Sequence, residues 1–250
     1  VSMIIASSKE FEYLRQSGKI LSGILNELCG LVKPGIETSV LEERAKALTH
    51  AAGAVPAFLG YRGYANALCV SLNDEVVHGM SIPSRVIHDG DVVSLDFGVT
   101  YHGFITDSAV TVIAGRASKE TRALVEDTKK SLLLGLSVIQ AGATTGDIGF
   151  AISNFLTSRH YGIVTALSGH GVGKDIHEPP TILNIGYPGK GEKLVEGMVI
   201  AVEPMVTLGS GGVDFDKEDG WTVRTSDHAL AAHWEHTVVV TKNGCEVLTA

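Results

Sequence analysis

Val92-Val93-Ser94-Leu95-Asp96-Phe97-Gly98-Val99, then Thr100-Tyr101-His102-Gly103, then Phe104-Ile105-Thr106-Asp107-Ser108-Ala109-Val110-Thr111-Val112, is two β-branched and aromatic runs around a short turn. The pattern predicts a β-hairpin. With the turn centred between Tyr101 and His102, Asp96 lies directly opposite Asp107, on one face, with Cβ atoms about 5 Å apart. Two carboxylates so placed repel each other, and a bound cation between them is the natural remedy.

Working outward, Ser7 and Glu10 form a capping-box pattern ahead of a helix over about 8–31, with Phe11, Leu14, Leu21, Ile24, Leu25 and Leu28 on one face. Lys33-Pro34-Gly35 stops it. Thr38 or Ser39 is expected to cap a second helix ending near Gly53. Strands are expected at 68–72 and 75–77, then the hairpin, then a helix over about 118–139 and another from Thr144 or Thr145 to near His160. Further strands fall near 198–206 and 235–242.

These signals repeat. Gly35 and Gly142 are 107 residues apart, as are Thr38 and Thr145, Gly90 and Gly197, Val92 and Val199, Val99 and Val206, and Thr100 and Thr207. Helix-entry and strand signals recur in one order, which implies an ancestral duplication and two αβ halves about a pseudo-twofold axis. The halves are expected at 1–113 and 114–250, within a single domain, 1–250. The same offset sets Asp96 on Glu203. Past an insertion rich in Gly and Asp, Glu235 is expected to mirror Asp107.

Four carboxylates therefore converge, Asp96, Asp107, Glu203 and Glu235, each in an apolar strand where an unpaired charge is costly. Few basic residues lie in those strands to neutralise them. His170, in Gly169-His170-Gly171-Val172-Gly173, and His177 and His78 supply candidate nitrogens. The other histidines, His50, His88, His102, His160, His228, His233 and His236, read as surface or structural. Carboxylates with imidazole and no thiolate suit Mn²⁺, Fe²⁺ or Co²⁺, with Zn²⁺ also allowed. So many negative charges suggest two ions, which suit hydrolysis of an amide or a phosphate ester.

Composition narrows the class. The chain has 250 residues, 44% apolar and 19% charged, ordinary values for a globular protein. The net charge of −8 disfavours nucleic-acid binding. Cys29, Cys69 and Cys245 form no CxxC and imply no disulfide framework. No signal peptide is expected from the polar 7–12 stretch, and the 132–139 apolar run is too short to span a membrane. A cytoplasmic monomer is the expectation.

Asn73-Asp74-Glu75-Val76-Val77-His78-Gly79, the Asp96/Asp107 hairpin, the His170 glycine loop, His177-Glu178-Pro179-Pro180, Val202-Glu203-Pro204 and Trp234-Glu235-His236-Thr237 together resemble type 1 methionine aminopeptidases, in order and over nearly the whole chain. The resemblance implies the α/β pita-bread fold, with antiparallel sheet around a central dinuclear metal site. It implies that Asp96, Asp107, His170, Glu203 and Glu235 ligate two divalent ions, with Asp107 and Glu235 bridging. A hydroxide bridging the ions would cleave the first peptide bond of nascent polypeptides. Glu203 would carry the proton, His177 would bond the scissile carbonyl, and His78 would contact the nitrogen beyond it. Phe58, Tyr61, Tyr64, Cys69, Ile176 and Trp221 would hold the methionine side chain, with a small second residue preferred. Asn73, Glu75 and Ala231 would offer carbonyls to a monovalent cation. The ribosome is a further candidate partner.

The chain departs from many bacterial members, which have Cys at Phe58, His at Arg62 and Phe at Ile176. Three alternatives stand beside this reading. Xaa-Pro aminopeptidases and dipeptidases share the ligands but usually carry an extra N-terminal domain, and 95 residues precede Asp96. A type 2 methionine aminopeptidase needs an insertion for which the span from Glu203 to Glu235 has no room. A non-catalytic relative would have lost metal ligands.

Overall fold

Residues 2–250 are described by the structure, a computed structural model. Four helices cover antiparallel sheets: α1 (Ser8–Leu31), α2 (Thr38–Ala51), α3 (Lys119–Ser137) and α4 (Thr145–Thr157). The Ser7 hydroxyl accepts from Glu10 N–H, while Glu10 reaches back to Ala6 N–H rather than to Ser7. Thr144 and Asp147 form a full capping box on α4. Thr38 does not cap α2. The cap is Glu37, without a side-chain bond, and the Thr38 hydroxyl donates instead to Ser81 O. Burial of the Ser81 carbonyl makes that bond the more valuable use of the hydroxyl.

The hairpin forms from Val92–Tyr101 and Phe104–Ile113. Its register differs from the expectation by two residues. Tyr101 pairs with Phe104, so Asp96 faces Ala109 and Asp107 faces Gly98. The cause is the turn. His102 and Gly103 have φ of 49° and 80°, both left-handed, as a two-residue type I′ turn requires. Asp96 and Asp107 still share a face, but as diagonal neighbours, whose backbones stand about 7–8 Å apart.

Pleating then divides the residues. Val93, Leu95, Phe97 and Val99 join Leu21, Ile24, Leu25 and Leu28 of α1 and Leu41 and Ala45 of α2 in one core. Burial of each α1 side chain there contributes about 1.5–3 kcal/mol. Alternate residues, Asp96 among them, face the other way, into the molecule. The second half repeats the plan. Leu124, Leu132 and Leu136 of α3 and Ile148, Ile152 and Leu156 of α4 pack against Ile200, Val202, Val238 and Val240.

The 107-residue offset recurs in the hydrogen bonds. Gly35 N–H donates to Ile87 O, and Gly142 N–H to Leu194 O. Ile87 N–H donates to Ile36 O, and Leu194 N–H to Ala143 O. Thr38 N–H donates to Arg85 O, and Thr145 N–H to Glu192 O. Every donor and every acceptor moves by the same 107 residues. The mirror of Asp107 is corrected by register. Val199 pairs with Val239 as Val92 pairs with Ile113, and Val202 pairs with His236 as Leu95 pairs with Val110. Continued one step, that ladder sets Glu235 at the place of Ala109, one pleat period from Asp107.

The halves meet where Phe104–Ile113 runs beside residues 233–237. Asp107 N–H donates to Thr237 Oγ1 at 2.9 Å, and the Thr237 hydroxyl donates to Asp107 O at 2.7 Å. Ser108 Oγ donates to Glu235 O, and Glu235 N–H to Ala109 O. One buried hydroxyl thus satisfies two backbone groups of Asp107. Thr237→Val is expected to cost about 1–3 kcal/mol, seen as a lower denaturation midpoint in urea, because both groups lose their partner.

Candidate metal centre

The inward faces of the two halves bound one cavity of about 250 Å³. The thirteen residues expected to meet the divalent ions or the substrate line it: Asp96, Asp107, His170, Glu203 and Glu235, then Phe58, Tyr61, Tyr64, Cys69, His78, Ile176, His177 and Trp221. Arg62 completes the wall.

Each carboxylate arrives from its strand by alternation. Asp96 and Asp107 come from the hairpin, Glu203 follows the strand Val199–Val202, and Glu235 precedes His236–Thr241. Pro204 ends the first of these strands, and Asn184 Nδ2 donates to Glu203 O at 2.9 Å, which fixes the backbone there. His170 lies on Gly169–Gly171, a strand squeezed between Glu178–Ile182 and Val199–Val202. Glycine at 171 is required, since a Cβ there would run into the carbonyl of Pro179.

Ligand atoms of Asp107, His170 and Glu235 all lie within 4.8 Å of one another. Asp96 and Glu203 stand outside that group but on the same cavity wall. His170 Nε2 is 3.4 Å from Glu203 Oε1 and 4.0 Å from Asp107 Oδ2. Its Nδ1 lies 2.9 Å from Gly171 O, so Nδ1 carries the proton and Nε2 presents a lone pair to the cavity. Asp96 Oδ1, Asp107 Oδ1 and Glu235 Oε1 are buried without any hydrogen-bond partner. Buried oxygens of this kind are normally satisfied. Here the carboxylates and their unused lone pairs fit divalent cations, and the oxygen-rich donor set with one imidazole fits hard or borderline ions.

Electrostatics without metal agree. Burial pushes Asp96 up to about 7 and Glu203 up to about 8. Burial, reinforced by neighbouring carboxylates, raises Asp107 and Glu235 well above the usual carboxylate range. Burial also holds His170 down to about 3 and His78 down to about 4, and lowers His177. Neutral imidazole is the form that binds metal or donates one bond to a carbonyl.

The rest of the cavity is apolar. Phe58, Tyr64, Cys69 and Ile176 are buried, and the Trp221 ring meets Tyr64 edge-on at 5.2 Å and His78 at 6.4 Å. Aromatic walls and a polarisable sulfur suit a thioether. His177 Nδ1 lies 2.9 Å from the Tyr61 hydroxyl, and its ring is 4.4 Å from that of His170. His78 has a left-handed φ of 57°, an uncommon backbone for a non-glycine residue, and it points the ring inward beside Trp221. Asn73 and Ala231 are joined by the Ala231 N–H, which donates to Asn73 O at 2.8 Å, and Glu75 pairs with Arg85 and Arg224.

One residue escaped the sequence reading, and another entered it only as a departure from the family pattern. Arg62 stands on the cavity wall in a turn with φ of 48°, and helps lower His177. His233 is no surface residue. It is fully buried, and Nε2 is 3.4 Å from Glu203 Oε2. Its position two residues before Glu235, on the alternating face, is the signal that could have found it.

Residues 12–242 match the model of metallopeptidase family M24. A methionine aminopeptidase of Clostridium acetobutylicum is 42% identical over 247 residues, which span 99% of this chain and 98% of the relative. The crystal structure of methionine aminopeptidase from Thermotoga maritima superposes with a TM-score of 0.96 at 39% identity, covering 99% of both chains. Prolidase from Pyrococcus furiosus is similar in fold alone, with a TM-score of 0.79 at 22% identity over 99% of this chain and 65% of that one.

Proposed function

The chain belongs to metallopeptidase family M24, and we propose that it is a metal-dependent methionine aminopeptidase that removes the initiator methionine from nascent polypeptides. The observation that carries this is one cavity lined both by carboxylates with partnerless oxygens and by aromatic and sulfur-bearing side chains. No helix among the described residues is long and apolar enough to cross a membrane.

In this reading Asp96, Asp107, His170, Glu203 and Glu235 would hold two divalent ions, Mn²⁺, Fe²⁺ or Co²⁺ with Zn²⁺ allowed, with Asp107 and Glu235 at the centre of the cluster. Such ions supply a polarised carbonyl and a water of lowered pKa. Glu203 takes the proton of the attacking water and returns it to the departing amine. With the Tyr61 hydroxyl donating to Nδ1 of His177, the ring proton sits on Nε2. From there it bonds the scissile carbonyl oxygen as charge develops. His78 contacts the amide nitrogen beyond the cleaved bond. The substrate's α-amino group sits beside Asp96, and the methionine side chain fills the pocket of Phe58, Tyr61, Tyr64, Cys69, Ile176 and Trp221. A chain end anchored at both points exposes only its first peptide bond, and a small second residue fits best beside the crowded imidazoles. Residues 1–250 act as one catalytic unit, with halves 1–113 and 114–250 each contributing ligands. A monovalent cation on the carbonyls of Asn73, Glu75 and Ala231, a monomeric state, a cytoplasmic site and contact with the ribosome belong to the same reading.

Competing substrates test it. Mn²⁺-loaded protein is expected to release methionine from Met-Ala-Ser and to leave Ala-Pro peptides intact. Cleavage of Ala-Pro with Met-Ala-Ser spared would instead mark an Xaa-Pro aminopeptidase.

A further inference from the structure

His233 has no task in the assignments above, yet its surroundings are those of a working residue. It is 1% exposed, and neither Nδ1 nor Nε2 has a hydrogen-bond partner among the described residues. A buried polar group left so costs about 1–3 kcal/mol. An aliphatic side chain would fill the space without that cost.

The main chain aims the ring. Thr111 Oγ1 accepts from His233 N–H at 2.9 Å and donates to His233 O at 2.6 Å. The ladder partner of His233 is Met205, two residues beyond Glu203. Strand pairing therefore ties His233 to the segment that carries Glu203. The Glu203 carboxylate lies between two imidazoles. Oε2 is 3.4 Å from His233 Nε2, and Oε1 is 3.4 Å from His170 Nε2. His170 reaches the cavity, whereas His233 stands behind the wall.

We propose that His233 is a positioning residue for Glu203. Nε2 stands 3.4 Å from Oε2, short of a hydrogen bond in this structure, and a small turn of either side chain would let Nε2–H donate to Oε2 and fix the rotation of the carboxylate, with Oε1 turned toward His170 and the metal-binding cluster. Glu203 must both hold an ion and carry a proton, so a carboxylate free to rotate would do each less well. The inference rests on the reading of Glu203 as ligand and proton carrier. It adds a residue that touches neither substrate nor metal but sets the one that does.

Two variants separate positioning from filling. His233→Met keeps the bulk and loses the donor. His233→Gln carries an amide nitrogen close to the place of Nε2. His233→Met is expected to lower kcat for Met-Ala-Ser by about 10- to 100-fold and to weaken Mn²⁺ binding by a similar factor, the range for losing the outer partner of a metal ligand. KM should hold, since no substrate contact is lost. His233→Gln should recover most of both losses. Mn²⁺ affinity is read by calorimetry on metal-depleted protein, which needs no turnover. Wild-type kcat and Mn²⁺ affinity in His233→Met overturns the proposal, and so does His233→Gln impaired as deeply as His233→Met. If the wild-type protein releases no methionine, the reading of Glu203 as proton carrier falls, and the Mn²⁺ affinities alone decide whether His233 positions it.

Discussion

Asp107→Asn protein is expected to lose Mn²⁺ binding in calorimetry and to show kcat/KM for Met-Ala-Ser reduced by more than about 100-fold, beyond the cost of losing an outer partner. Asp107 is the carboxylate that sits with His170 and Glu235 inside the 4.8 Å cluster, and its Oδ1 has no protein partner. Asparagine has the same shape, so Thr237 still holds the backbone. What changes is charge, and one oxygen becomes an N–H₂ group that cannot ligate. The metal-free variant should melt higher than metal-free wild type, because one of the mutually repelling buried carboxylates is gone. Lower function with higher stability is the signature expected of a strained site. A fall in both would instead mark Asp107 as an ordinary structural residue.

Metal removal should make stability depend on pH in a defined direction. Burial raises Asp96 to about 7 and Glu203 to about 8, and raises Asp107 and Glu235 well above the usual range. In the unfolded chain all four are ionised by pH 6.5. Between pH 6.5 and 8.5 the folded apoprotein therefore holds more protons than the unfolded chain, and stability falls as pH rises. His78 and His170, held down to about 4 and about 3, are neutral when folded throughout this window but about half protonated at pH 6.5 when unfolded, and burial lowers His177, His233 and His236 as well. The histidines oppose the trend at the foot of the window and fade by about pH 7.5, above which the carboxylates set the slope. The loss should amount to several kcal/mol, or a midpoint lower by about 10 °C, given about 2–4 °C per kcal/mol at this size. Saturating Mn²⁺ should flatten the dependence, since bound cations favour the ionised carboxylates. Thermal melts of chelator-treated protein across the window check it, and a midpoint that rises with pH would contradict it.

Much of this site was legible because the chain repeats. The 107-residue offset set Asp96 against Glu203, and the same offset recurs in backbone donors and acceptors whose side chains share no identity, such as Ile87 and Leu194. Helix ends were legible where a side chain capped them, as at Ser7, Ser118 and Thr144. Thr38 misled because its hydroxyl serves a tertiary partner. The hairpin was legible, but its register was not, because symmetry about residues 101 and 102 ignored Gly103. A glycine at the second central position marks a type I′ turn and moves the centre by one residue. Reading Glu235 as the mirror of Asp107 crossed an insertion, where the 107-residue offset gives no register. His233 was hidden for a different reason. A lone histidine between Ala232 and Trp234 reads as structure until the partner strand shows Glu203 beside it.

The central claim is that turnover by this chain depends on ions held by the Asp107, His170 and Glu235 cluster and its neighbours. Its most direct test is methionine release from Met-Ala-Ser by metal-depleted protein as Mn²⁺ is returned stepwise, with bound metal counted at each step. The expected result is no release from the depleted protein and release that climbs with occupancy. Release that ignores occupancy, or none with Mn²⁺, Fe²⁺, Co²⁺ or Zn²⁺, would contradict it.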